Sequence, residues 1–300
     1  MADYNDDLFL APKTTQYGSH MVMTNVTKPT KKKYINIDTK FRDEYNYLQV
    51  TDYNITLPER ITDVKNMTVT SMEIPMTFYN ISSSLGNNSF QITDLSNSNS
   101  VYLVIVPDGN YDKTALNTAI SIKLNSFNLK IDSSGNNSRL YSSGNTFSID
   151  FTVNDQGIPD KYNFRYKLGW LLGFRNPYYT IIGTNIYTYS EQFIDLTNPR
   201  YLYLAIEEFN KGNQKSFVSP IASSFINKNI IARISLDRAT HAYGTVLPVN
   251  KLNGLLISDN RSYTGKIDLL KLNIKLLSEN GNIISLNGYD FSFCLEVEHE

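Results

Sequence analysis

Beyond residue 33 the apolar positions recur mostly with a period of two. Phe147, Ile149, Phe151 and Val153 alternate with Thr146, Ser148, Asp150 and Thr152, the pattern of a strand that buries one face. The same alternation runs through Leu202, Leu204 and Ile206, and through Ile230, Ala232, Ile234 and Leu236. It returns at Leu270, Leu272, Ile274 and Leu276, and again at Phe291, Phe293, Leu295 and Val297. Shorter candidates lie at residues 34–37 and 53–57, the second ended by Pro58. In residues 64–74 the apolar phase changes between Val69 and Met72, which predicts a bulge. One stretch reads as helix: Asp112 is placed to cap a segment carrying Leu116, Ala119, Ile120 and Leu124 on one stripe.

Many short alternating strands separated by turn residues predict an all-β fold, a single jelly-roll sandwich. The stretch from about 86 to 195 has its own order, two strands, the helix and further strands, and is expected to be an inserted ββαβ-type module. Residues 34–85 and about 196–300 would then supply the sandwich. Residues 1–33, with Pro12, Pro29 and a basic knot of Lys28, Lys31, Lys32 and Lys33, show no sustained period and read as an extended N-terminal arm. The domain proper would be 34–300.

Composition sharpens this picture. Aromatic and β-branched residues suit pleated surfaces, and the chain holds 21 Tyr and 15 Phe. The formal net charge is −1, without the basic excess of a genome-coating protein. Cys294 is the single cysteine, so no intrachain disulfide can form; its strand position marks it as a small packing residue. No apolar stretch reaches membrane-spanning length, and the acidic first residues lack a secretory pattern, so cytoplasmic synthesis is expected.

The inventory for catalysis is thin. His20, His241 and His299 lie far apart in sequence and in no metal-binding spacing; His241 reads as a loop residue. Glu207 and Glu208 are adjacent on a strand and so point to opposite faces, which favours solvated or interface roles. No catalytic, metal-binding or cofactor-binding residue is assigned, and an enzyme is not expected. Trp170, within the apolar run 168–174, is the candidate core plug or interface anchor. Lys28 and Lys31 to Lys33 are the candidate contact residues of the arm, with weak contact to nucleic acid as one use.

Three further stretches carry a resemblance. FYN at 78–80, NNSF at 87–90 and VPDGNY at 106–111, followed by LGWLLGFR at 168–175, resemble a pattern in capsid proteins of large eukaryotic DNA viruses. Residues 263–272 with LNGYDFSF at 286–293 resemble that group's C-terminal strand pair. The resemblance implies a minor capsid or penton (vertex) protein of the double-jelly-roll lineage, which includes giant viruses, virophages and polinton-like elements. Pentons there are single jelly rolls, often with an insertion, arranged as homopentamers at icosahedral vertices beside the major capsid protein. The implied location is the virion, with Lys28, Lys31, Lys32 and Lys33 as candidate capsid-contact residues of the arm. A cementing protein under the facets is the alternative role, and a jelly-roll carbohydrate-binding module is a third.

Overall fold

The computed structural model describes residues 29–47, 49–209 and 229–300. The chain enters through β1 (Lys31–Asp38) and β2 (Asp52–Pro75), the latter 24 residues long. A module follows, comprising β3 (Ser89–Asp94), β4 (Ser100–Ile105), α1 (Lys113–Leu124), β5 (Leu129–Asp132), β6 (Asn137–Ser142) and β7 (Phe147–Asp150). It continues with α2 (Leu168–Leu171), β8 (Tyr178–Ile181) and β9 (Thr188–Phe193). The chain then returns through β10 (Tyr201–Glu207), β11 (Ile230–Ser235), β12 (Val246–Asn250) and β13 (Leu256–Ser258). It closes with β14 (Arg261–Ser278) and β15 (Ser292–His299).

β2 and β14 each serve two sets of neighbours. The first half of β2 pairs with the second half of β14, which pairs with β10, then β11 and β13. The second half of β2 pairs with β15 on one side and β12 on the other, and β15 carries β1. Pairing between β2 and β14 is interrupted between Ser262 and Ile267, and Asp63 takes a left-handed conformation (φ 55°) at the corresponding corner. Strands that change sheets at such bulges make the corners of a sandwich. Side chains from both halves share one core, with Val64, Leu204, Leu272, Ile274, Leu295 and Val297 all fully buried. This is the all-β jelly roll.

The bulge expected near Val69 is present: Cys294 pairs with Ser71 but Leu295 with Val69, which leaves Thr70 as the extra residue. Met67 and Val69 before it, and Met72 and Ile74 after it, all face the core. Pro58 does not end a strand. It lies in a second bulge, between the pairs Thr56–Lys271 and Ile61–Leu269, where its missing N–H costs no ladder bond. The same bulge shifts the phase of β14, so Leu269 is buried and Leu270, read as a core residue, is exposed.

The module builds a second core on the four-stranded sheet β4-β3-β7-β8, with Phe90, Ile92, Phe147, Ile149 and Phe151 buried. The three-stranded sheet β5-β6-β9 packs beside it. Asp112 caps α1 as expected, its side chain accepting from the Ala115 amide at 2.7 Å. Leu116, Ile120 and Leu124 point from α1 into the module core.

Candidate functional site

The residues of the FYN, NNSF and PDGNY motifs meet where the chain leaves the sandwich for the module. The Asn80 amide donates to the carbonyls of Tyr111 (2.8 Å) and Leu196 (3.2 Å), and its Oδ1 accepts from the Tyr111 amide at 2.8 Å. The Asn80 carbonyl in turn accepts from the side chains of Asn87 and Asn198. Asp108 receives the Ser83 amide and hydroxyl, both at 2.8 Å, and the Asn88 amide at 3.1 Å. Asn80, Asn87 and Asn88 are almost fully buried. Desolvated amides are tolerated when paired, and these are, the Asn88 Oδ1 and Asn198 Oδ1 excepted, so this spacing of Asn and Asp is the spacing of a junction. It ties the outgoing segment, the PDGNY turn and the returning segment at 196–198 into one unit.

LGWLLGFR forms a tight turn in the same region. A Cβ on Gly169 would stand 2.4 Å from the Phe151 ring, and one on Gly173 (φ 96°) 2.1 Å from the Gln192 carbonyl oxygen. The helix-like spacing of the two glycines therefore reflects close approach within the module. Leu168, Leu172 and Phe174 fill its core, whereas Trp170 is only half-buried. Its ring meets Phe164 edge-on and lies under the Arg175 guanidinium at 3.9 Å, with Arg165 at 5.9 Å.

Trp170 lines a cavity of about 450 Å³ at the seam between module and sandwich. The module contributes Arg165 and Arg175, the returning segment Asp195 and Arg200, and the sandwich Tyr201 and Glu279. Arg175 is held by donating to the carbonyls of Trp170 and Phe174, both at 3.0 Å. Burial, joined by a hydrogen bond to Tyr203, pushes the Tyr201 phenol up to about 12, so at neutral pH its hydroxyl is intact. Burial alone would raise the Asp195 carboxyl. Hydrogen bonds from the Thr197 hydroxyl and amide, with the Arg200 and Arg175 charges, outweigh it and hold the group below the usual carboxylate range. The cavity thus offers cations, anions and aromatic faces, with Arg175 and Asp195 held in place.

No protein-family profile and no curated protein matches this chain. Among solved structures, the selenomethionine-labelled mavirus penton protein aligns over 91% of this chain and 100% of its own, with a TM-score of 0.44 and 8% identity.

The other candidate residues are scattered. Lys31, Lys32 and Lys33 stand inside β1, paired with His299, Glu298 and Val297. Lys32 and Lys33 are engaged with Glu296 (2.7 Å) and Glu59 (2.5 Å). The regular structure therefore starts three residues before Tyr34, the start read from the sequence. Lys28 and His20 lie outside the described residues. His241 sits in the loop after β11 and His299 ends β15, so the two described histidines occupy different elements. Cys294 is half-buried on β15.

Glu207 and Glu208 do point apart, but Glu208 is neither solvated nor at a surface. It is fully buried and bonded at 2.8 Å to the equally buried Arg261. Arg261 also donates to the carbonyls of Ile206 (2.7 Å) and Asn229 (2.5 Å), joining the end of β10 to the start of β11. This clamp and the seam cavity both escaped the sequence reading. Arg261 and Glu208 are 53 residues apart; only the presence of an arginine at the head of a strand otherwise rich in apolar residues hinted at a buried role.

Proposed function

We propose that this chain is a structural capsid protein, a penton-type subunit that forms a homopentamer at icosahedral vertices and meets the major capsid protein there. The observation that carries the reading is the fate of the capsid-like motifs. Asn80, Asn87, Asn88, Asp108 and Tyr111 are consumed in the junction that fixes the module on the jelly roll. A pattern devoted to holding two packed bodies in one orientation suits a building block of a shell. Pentameric closure calls for a heterologous contact, one patch meeting a different patch on the next copy. The module offers such a patch in β4, an edge strand whose Val101, Leu103 and Ile105 are exposed, since apolar sheet edges left open are pairing surfaces. Residues 1–28 extend this proposal: they would run along the inner capsid and clamp neighbouring subunits.

Quantitative mass spectrometry of purified particles tests the role. A vertex protein is present at five copies per vertex, in a fixed ratio to the major capsid protein. A copy number that grows with facet area would instead assign the chain to the cementing layer, and its absence from particles would reject a capsid role.

A further inference from the structure

The structure points to a ligand for the seam cavity: we propose that it binds an acidic glycan, a sugar carrying one carboxylate or sulfate. The inference rests on the cavity alone and stands or falls apart from the capsid reading. A volume of about 450 Å³ falls within the range of small-ligand sites, roughly 300–1,000 Å³. Arg175 is fixed flat against the Trp170 indole by its two carbonyl bonds, which use one terminal nitrogen and leave its other donors unspent by them. Arg165 stands over the same ring and is exposed, and the Arg200 side chain, 70% exposed, reaches Glu279 only at 3.7 Å. A guanidinium held in place like that of Arg175 recognises carboxylates and other oxyanions through paired hydrogen bonds, and Arg165 and Arg200 add positive charge beside it.

Charge selects among anions. Three arginines against Asp195 and Glu279 leave the lining one positive charge in excess (3 − 2 = 1). That balance suits a monoanion, while a polyphosphate or nucleic-acid backbone would bring further negative charge against the two carboxylates. The carboxylates also supply acceptors for hydroxyl groups, the Asn280 amide supplies donors, and the Tyr201 oxygen can accept. Aromatic rings beside alternating donors and acceptors match a polyhydroxylated ring better than a purely apolar ligand.

The test uses the full chain, with saturation-transfer NMR and calorimetry. Sialyllactose probes the carboxylate, sulfated N-acetyllactosamine the sulfate, lactose the neutral sugar and pentaglutamate an acidic peptide. One or both acidic sugars should bind and lactose should not. Arg165→Ala combined with Arg200→Ala, both at exposed side chains, should weaken acidic-sugar binding by at least about tenfold, the loss of a charge-assisted hydrogen bond, with the melting temperature unchanged. Trp170→Phe, which keeps an aromatic ring, should weaken it less. The proposal is overturned if neither acidic sugar binds, if lactose binds equally well, if the double variant binds normally, or if pentaglutamate displaces the sugar and binds more tightly.

Discussion

Arg261 shows how much can depend on one side chain. Its guanidinium is buried with the Glu208 carboxylate and spans the backbone between β10 and β11. Removing one partner of a buried pair leaves the other charged and unsolvated, at a cost of about 3–5 kcal/mol. Arg261→Met should therefore lower unfolding free energy by that amount in chemical denaturation. Adding Glu208→Leu to it should recover much of the loss, because an apolar pair of similar volume replaces the ions. A double variant no better than the single one would show that the backbone bonds of Arg261 dominate. Glu296 gives a pH-dependent counterpart. Hydrogen bonds from Lys32 and then Tyr34 hold its carboxyl below the usual carboxylate range, outweighing its slight desolvation. A depressed folded pKa gives stability that is present above the unfolded value and is lost as pH falls through the folded one. The melting-temperature gap between the native chain and Glu296→Gln should thus be widest near neutrality and close below the ordinary carboxylate range. A gap that is constant with pH would remove the ionic contribution.

At the scale of elements, β15 is the strand on which the sandwich closes, lying between β1 and β2. Phe293 is buried there, stacked near Phe291. Phe293→Ala should cost about 3–5 kcal/mol, as for a large aromatic deleted from a core; a loss below about 1 kcal/mol would place that ring outside the packed centre. β1 allows a sharper comparison. Truncation after residue 33 removes three residues paired with β15, so it should melt lower than truncation after residue 28. Equal melting temperatures would mean that the first three residues of β1 contribute nothing. These strands were legible because alternation reports burial directly. The bulge at Thr70 was legible too, since a change of phase with both sides still apolar has few other causes. Pro58 and Leu270 were misread for a single reason: one bulge shared by β2 and β14 both accommodates the proline and turns Leu270 outward. Long-range pairings leave no local trace. Arg200 meets Glu279 because β10 pairs with β14, and Arg165 and Arg175 reach the same cavity from the module.

At the scale of the whole molecule, the jelly roll and its module are two cores held in register by a junction of buried amides. Asn80 alone bridges the outgoing segment, the Tyr111 turn and Leu196. Under the proposed vertex role, a junction of this kind would let a subunit present one edge to a neighbour and another surface to a second, as ring closure requires. The exposed β4 edge is on the module, while β1 lies at the edge of the sandwich sheet, so separate surfaces are available for separate partners. The proposed vertex role is tested most directly by imaging particles. Reconstruction of virions with averaging at the fivefold axes should place this jelly roll and its module at each vertex, five copies to a ring. Density at the axes that fits a different protein, with this chain found beneath the facets or missing, would contradict the vertex assignment.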